Sequence, residues 1–387
     1  NISLVAIDEA HCISMWGHDF RPEYQMLSTF RSTVPEIPFL ALTATADRST
    51  RKDIASQLGL KDPKTFLSSF NRGNLRLEVR SQRSKKQKEA EILSFLTERK
   101  GESGIVYCLS RKNTNELAAF LRNNGLDAQA YHAGLSAEER NRVQENFIKD
   151  DLSIVCATIA FGMGIDKSNV RWVIHSNMPK NLEGYYQEIG RAGRDGLPSD
   201  TLLFYALGDF MTLSTFARDS VQSELQLAKL QRMLEYAEAT TCRRRVLLSY
   251  FSEYLEEPCG NCDVCDNPPK TYDALIPAQK VLSAVIRTKE KVGATMVTNI
   301  LRGSSNAELL AKGFHEIKTY GVGKEYSFKE WKHIIIQLLN QGLLELAYDE
   351  NQALKVSRSG KEVLKTGGKV HMTHYFETEK PEKVKKK

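Results

Sequence analysis

"GIVYCLSRKNTNELAAFLRNNGLDAQAYHAGLSAEERNRVQENF", residues Gly104 to Phe147, holds two successive strand-and-helix units. The apolar run Ile105 to Leu109 predicts a strand, and an amphipathic helix is expected over 111–123. A second strand follows at 128–132 and a second helix at 137–149, the latter opened by the capping box Ser136-x-x-Glu139. Downstream the alternation continues with strands at 153–158 and 171–176, a helix near 181–191 and a strand at 200–206. Such alternation predicts an α/β fold with a parallel sheet covered on both faces. Upstream, the apolar run Ile2 to Ile7 ends at Asp8, and Pro38 to Ala46 reads as a second buried strand. A helix capped by Asp47 is expected from there to Leu58, which makes residues 1–72 the back half of another α/β domain. Residues 73–100, charged and poor in aromatics, read as a connection with one helix, entering a second domain that ends near 208.

The 387 residues suffice for two to four domains, and 41% hydrophobic content supports ordinary packed cores. A net charge of +6 permits a nucleic-acid partner without requiring one. Part of that charge lies in a basic tail, 377–387, which reads as a solvated end. No apolar run approaches the roughly 18 residues of a membrane span. The chain opens at Asn1 directly into a strand, so the expectation is a fragment cut inside its first domain.

Seven cysteines are placed unevenly. Cys12, Cys108 and Cys156 stand alone, whereas Cys242, Cys259, Cys262 and Cys265 combine C-x2-C-x2-C with a fourth thiol upstream. This spacing argues for a metal in a reducing compartment. Four thiolates close a tetrahedral zinc site, and an iron-sulfur cluster takes four as well; three ligands on one short loop favour zinc. The cluster belongs to a helical region, 209–268, that ends at Asn267-Pro268-Pro269. Beyond it, helices near 277–288, 293–301 and 327–341 and two short strands, 344–347 and 353–356, suggest a winged helix over 269–376. Such modules contact duplex DNA, here through Arg302, Ser304 and Asn306, and they also serve as protein contacts.

Several segments carry candidate chemistry. Asp8 and Glu9 at a strand end can hold magnesium and polarise a water, the two tasks of phosphoanhydride hydrolysis, although acidic pairs also close strands as solvated ends. His11 and the hydroxyls of Thr43 and Thr45 would supply partners beside them. Gln187, Arg191 and Arg194 lie in Tyr185 to Gly196, where the two guanidinium groups, on one helical face if the helix persists that far, can meet a γ-phosphate. The loop 157–167, with Gly164 and Asp166, reads as flexible. Directly after the acids, Trp16, His18, Phe20, Arg21 and Tyr24 form an aromatic stretch suited to stacking on unpaired bases, and its interrupted period predicts a mobile surface loop.

DEAH at 8–11, Thr-Ala-Thr at 43–45, Tyr131 to Leu135, the 157–167 loop and QEIGRAGRDG at 187–196 resemble the ordered motifs of superfamily-two helicases, specifically the RecQ family. The aromatic stretch, the cysteine cluster and the winged helix are similar to RecQ features too. The resemblance implies RecA-like helicase domains, ATP, Mg²⁺ and Zn²⁺ as cofactors, and 3′–5′ unwinding in recombination and repair. It further implies a monomer acting on single-stranded and junction DNA in the cytoplasm or nucleoid, with the winged helix able to contact a single-stranded-DNA-binding protein. One departure stands out. The phosphate loop G-x-x-x-x-G-K-[ST] is missing, since Lys324, Lys361 and Lys369 are followed by Glu325, Glu362 and Val370. The chain alone is therefore expected to be inactive, and a non-catalytic, zinc-stabilised DNA-binding protein is the alternative reading.

Overall fold

The computed structural model describes residues 2–17, 19–81, 84–162 and 165–375. The chain forms two compact units, 1–267 and 268–387.

The first unit begins with a two-stranded parallel sheet, β1 (Val5–Ile7) and β2 (Phe39–Ala41), followed by α1 (Met26–Thr33) within their connection and α2 (Arg48–Gln57) after it. Asp47 caps α2 as anticipated, accepting the Thr50 N–H at 2.7 Å. Ile7, Ala10, Ile13, Ala46, Ile54 and Leu58 form its small core. The strands are shorter than expected and only half covered: Ile2, Leu4, Leu40 and Leu42 are exposed. Among the described residues, helices lie on one side of this sheet only.

A six-stranded, all-parallel sheet follows, in the order β3 (Leu75–Ser81), β8 (Ser199–Tyr205), β7 (Val170–His175), β4 (Ser103–Tyr107), β6 (Ile154–Ala157) and β5 (Ala128–Tyr131). Its helices are α3 (Lys85–Glu98), α4 (Arg111–Asn123), α5 (Ala137–Ile148) and α6 (Leu182–Ile189). The Ser136–Glu139 capping box is present. Two expectations need correction. Residues 75–81 are not a connection but the edge strand β3, whose Leu75 and Leu77 are buried while Arg76 and Arg80 pair with Asp266 and Glu78. And α6 stops at Ile189: Gly190 caps it, and a series of turns replaces the helix that would have put Arg191 and Arg194 on one face.

Three helices come next, α7 (Leu207–Arg218), α8 (Ser223–Ala237) and α9 (Arg243–Tyr250), and then the cysteine loop with its short α10 (Asp263–Asp266).

The second unit, taken by itself, packs α11 (Leu275–Arg287), α12 (Ala294–Arg302) and α14 (Phe328–Asn340) around Val281, Leu301, Trp331, Ile335 and Leu338. The antiparallel pair β10 (Leu344–Ala347) and β11 (Ala353–Val356) forms the wing. Unanticipated additions are α13 (Ala307–Ala311), α15 (Arg358–Thr366) and the small pair β9 (Tyr272–Asp273) with β12 (His371–Met372).

Candidate active site and metal centre

Asp8 and Glu9 leave β1 in a tight reversal. Asp8 is exposed and its Oδ1 accepts the Glu9 N–H at 2.8 Å; Glu9 itself takes a left-handed conformation (φ 48°), a costly one for a residue with a side chain. Burial, reinforced by the neighbouring Asp8 charge, raises the Glu9 carboxyl above the usual carboxylate value. Behind it, Glu9 Oε2 lies 3.3 Å from His11 Nδ1, which is 2.9 Å from Thr43 Oγ1. Thr43 Oγ1 also accepts the Thr45 N–H at 3.2 Å and donates to the Thr45 carbonyl at 3.3 Å. With its proton on Nδ1, His11 donates to Thr43 Oγ1, whose own proton goes to the Thr45 carbonyl, while the buried Glu9 Oε2 accepts no hydrogen bond among the described residues. Nε2 then faces the Cys12 thiol at 3.7 Å, a group that burial pushes up to about 11.

The chain of contacts continues across to α6, where Gln187 Nε2 lies 3.3 Å from Thr45 Oγ1. Glu9 and Ala44 on one side face Gln187, Arg191 and Arg194 on the other across a cleft of about 410 Å³. Arg191 Nη1 donates to the Gly162 carbonyl at 2.5 Å, and Arg194 Nη1 to the Ile165 carbonyl at 2.8 Å and to Asp166 Oδ1 at 3.4 Å. The two guanidinium groups thus converge on one loop although no helix carries them. Gly164 lies outside the described residues.

Sequence reasoning missed Arg72, which also lines the cleft. Its guanidinium donates to the carbonyls of Ala192 (3.1 Å), Gly193 (2.9 Å) and Gly190 (3.4 Å), fixing the turn that bears both arginines. More than a hundred residues separate it from those partners, so no local pattern could reveal it.

The aromatic stretch is tied down rather than loose. Ser14 Oγ donates to Asp53 Oδ2 on α2 at 2.7 Å, Arg21 N–H to the Cys12 carbonyl at 2.9 Å, and Tyr24 hydroxyl to the Asp8 carbonyl at 3.4 Å. Lys229 of α8 donates to the Trp16 carbonyl. Trp16, Phe20 and Arg21 remain partly exposed, and Arg21 is held by Asp19 Oδ2 at 2.6 and 3.2 Å. His18 lies outside the described residues.

In the cysteine cluster, the sulfurs of Cys242, Cys259, Cys262 and Cys265 all lie within 4.8 Å of one another. Cys259 and Cys265 are 3.9 Å apart, close to the about 3.8 Å edge of a tetrahedron with Zn–S near 2.3 Å. Backbone N–H groups of Cys259, Asn261 and Cys265 donate to the sulfurs of Cys242, Cys259 and Cys262, as thiolates require. The residues therefore fit zinc. Around them, Arg243 makes a forked ion pair with Asp263, while Arg244 donates to Asn71 Oδ1 and to the carbonyls of Arg72 and Leu75. Asn261 and Asp263 receive the edge of β3 through the Leu77 and Val79 N–H groups.

In the second unit Arg302 is exposed in the last turn of α12, Ser304 accepts the Tyr320 hydroxyl through its carbonyl, and Asn306 Oδ1 caps α13. The Asn306 carbonyl is thus already committed to its own helix. No helix among the described residues is long and apolar enough to cross a membrane.

Comparison with known proteins matches three family models in series: the helicase conserved C-terminal domain at 87–196, RecQ zinc-binding at 207–266 and the RQC domain at 268–381. The chain is 45% identical over 368 residues to the ATP-dependent DNA helicase RecQ of Pasteurella multocida, covering 94% of this chain and 58% of that one. It is 40% identical over 369 residues to that of Bacillus subtilis, covering 94% and 62%. With the Saccharomyces cerevisiae ATP-dependent helicase SGS1 the identity is 38% over 360 residues, 89% of this chain and 25% of the relative. The chain thus spans about three fifths of the bacterial relatives' length. With RecA-like sheet, cysteine cluster and winged helix matched in order, the chain belongs to the RecQ helicase family.

Proposed function

We propose that these residues serve an ATP-dependent, 3′–5′ DNA helicase of RecQ type acting in recombination and repair. The observation that carries this reading is the contact chain Glu9–His11–Thr43–Thr45–Gln187, which crosses the cleft to the helix preceding Arg191 and Arg194. Asp8 would hold Mg²⁺, which supplies charge neutralisation for the phosphates. Glu9 orients the attacking water, and its raised affinity for a proton suits it to accept one. Arg191 and Arg194 leave their carbonyl partners to meet the γ-phosphate, with Gln187 sensing its presence and Thr43, Thr45, Gly164 and Asp166 contacting the nucleotide. Trp16, His18, Phe20 and Arg21 contact single-stranded DNA, and Arg302, Ser304 and Asn306 the duplex.

The division we propose is 1–72 and 73–208 as helicase domains, 209–268 as the zinc region and 269–376 as the winged helix, with 377–387 a tail outside the described residues. A monomer, a site in cytoplasm or nucleoid, and a winged-helix contact to a single-stranded-DNA-binding protein belong to the same reading. The cysteine cluster and the match of the second unit to the RQC domain support a second one, in which these 387 residues bind DNA without turnover. ATPase assays separate the two: the chain by itself should be silent, and joining it to a half domain with a phosphate loop should restore DNA-stimulated hydrolysis. Silence of the joined protein, with DNA binding intact, would favour the second reading.

A further inference from the structure

Lys229 sits in the middle of α8 with no exposed side-chain surface. Its ammonium has partners from two other parts of the first unit, the Trp16 carbonyl at 2.6 Å and Glu183 Oε1 at 2.5 Å. Glu183 is itself 2% exposed and lies in the first turn of α6, the helix that presents Gln187 to Thr45. Asp47, the cap of α2, is 5% exposed and within electrostatic range of both. Burying an ion pair this fully adds little stability over an apolar pair of the same volume. The neighbours Leu230, Met233 and Leu234 are core residues, and a methionine in place of the lysine would satisfy the packing of α8. What a lysine supplies and a methionine cannot is a pair of directed, charge-assisted bonds, one to the aromatic loop and one to α6.

We propose that Lys229 is a positioning residue for the aromatic loop: it holds Trp16 in register with α6, so that the loop follows the movement of that helix relative to the strand bearing Asp8 and Glu9. A shift of α6 must lengthen the bond to Glu183 or carry the ammonium, and with it the Trp16 carbonyl, along. That gives the backbone at Trp16 two arrangements which nucleotide and DNA could bias from opposite sides. The consequence for turnover rests on the motor reading above; the tie itself does not.

Tryptophan fluorescence tests it in the chain as it stands. Of three tryptophans, Trp172 and Trp331 are 1% and 0% exposed, so acrylamide quenching reports on the half-buried Trp16. Lys229→Met should raise the quenching constant about two-fold or more and shift emission to the red. The double variant Lys229→Met/Glu183→Gln should melt above Lys229→Met, because one of the two buried carboxylates that faced the lost ammonium is neutral, yet keep the raised quenching, because the Trp16 carbonyl has lost the Lys229 donor. Wild-type quenching in Lys229→Met overturns the proposal. So does quenching that returns to wild type in the double variant, which would make Lys229 a charge partner only. Should Lys229→Met fail to fold, the double variant decides alone by the same criterion. Neither nucleotide nor turnover enters the measurement, so its failure leaves the motor reading standing. Conversely, an inactive joined enzyme that shows the quenching change overturns the motor reading and not the tie.

Discussion

Gln187 reaches across the cleft to Thr45, Nε2 to Oγ1 at 3.3 Å, joining the strand-β2 turn to the helix that leads into the arginine turn. The pair is the link between Glu9 and the opposite wall. In the joined enzyme, Thr45→Val and Gln187→Ala should each lower DNA-stimulated turnover by about ten-fold or more, and the double variant should cost little beyond either single, since residues acting as a unit are non-additive. Fully additive losses in kcat would mean that the two contact the nucleotide independently.

Gly162 gives a second handle. A Cβ placed there would lie 2.3 Å from Arg191 Nη2, and the guanidinium, as the free end of a side chain, would yield before the backbone. Gly162→Ala should therefore leave the melting temperature nearly unchanged while cutting kcat by up to about a hundred-fold, the effect of displacing a charged group by an ångström. Arg191→Ala should be no worse when combined with it.

How much of this was legible beforehand differs from element to element. Asp47 and Ser136 announced their helices because caps are local chemistry, and the cysteine spacing declared its cluster for the same reason. Strand β3 was missed although Leu75, Leu77 and Val79 alternate with Arg76, Glu78 and Arg80, because an edge strand with one charged face does not resemble the apolar strands beside it. The arginine turn was misplaced because Gly190 ends α6 one residue before Arg191. Arg72, Lys229 and Arg244 were invisible: each acts through carbonyls far away in the chain, and a carbonyl has no sequence signature.

Arg244 and the cysteines should fail together. Because Arg244 binds the backbone of 72–75 and the cysteine loop borders β3, opening the metal site loosens the sheet edge. Cys259→Ser or Cys262→Ser should lose the metal, lower the melting temperature and raise amide exchange in 71–81, with reduced DNA affinity as a further result. Arg244→Ala should raise the same exchange while retaining one equivalent of zinc by elemental analysis. Iron in place of zinc, or unchanged exchange in 71–81, would contradict this.

Asp47 makes the pH dependence specific. Burial raises its carboxyl above the ordinary value, with Glu183 adding to the rise and Lys229 opposing it. Two carboxylates share one ammonium there, so Asp47→Asn removes the surplus charge and keeps a competent cap. At pH 7 the Asn variant should melt no lower than wild type, whereas Asp47→Ala should lose about 1 kcal/mol with the cap. The sign follows from linkage: a carboxyl raised in the folded state weakens folding above its folded pKa, and that penalty shrinks as pH falls through the folded pKa and is gone below the ordinary value of 3.8. The advantage of Asn should accordingly shrink as pH falls through the raised value. Melting curves at pH 7 and pH 4 measure it, and an advantage that grows on acidification would reverse the assignment.

The aromatic loop bears the sharpest expectation. Trp16 and Phe20 are partly exposed, and the loop is tied at one end to the Asp8 carbonyl and at Trp16 to α8. Arg21 is engaged by Asp19, so it can reach a DNA phosphate only by giving up a charge-assisted bond at 2.6 Å. Binding of single-stranded DNA would thus exchange one partner for another, at little net gain in affinity, while moving the segment that adjoins Glu9. In the joined enzyme, Trp16→Ala and Arg21→Ala should therefore leave nucleotide binding and most DNA affinity in place but reduce DNA-stimulated ATPase and unwinding by about ten-fold or more. Asp19→Asn should act in the opposite sense, weakening the charge-assisted hold on Arg21 and raising hydrolysis in the absence of DNA. Comparing ATPase with and without single-stranded DNA across the three variants decides the matter: normal stimulation in all of them, or outright loss of nucleotide binding, would make the loop a packing element and leave the coupling to be sought in α6.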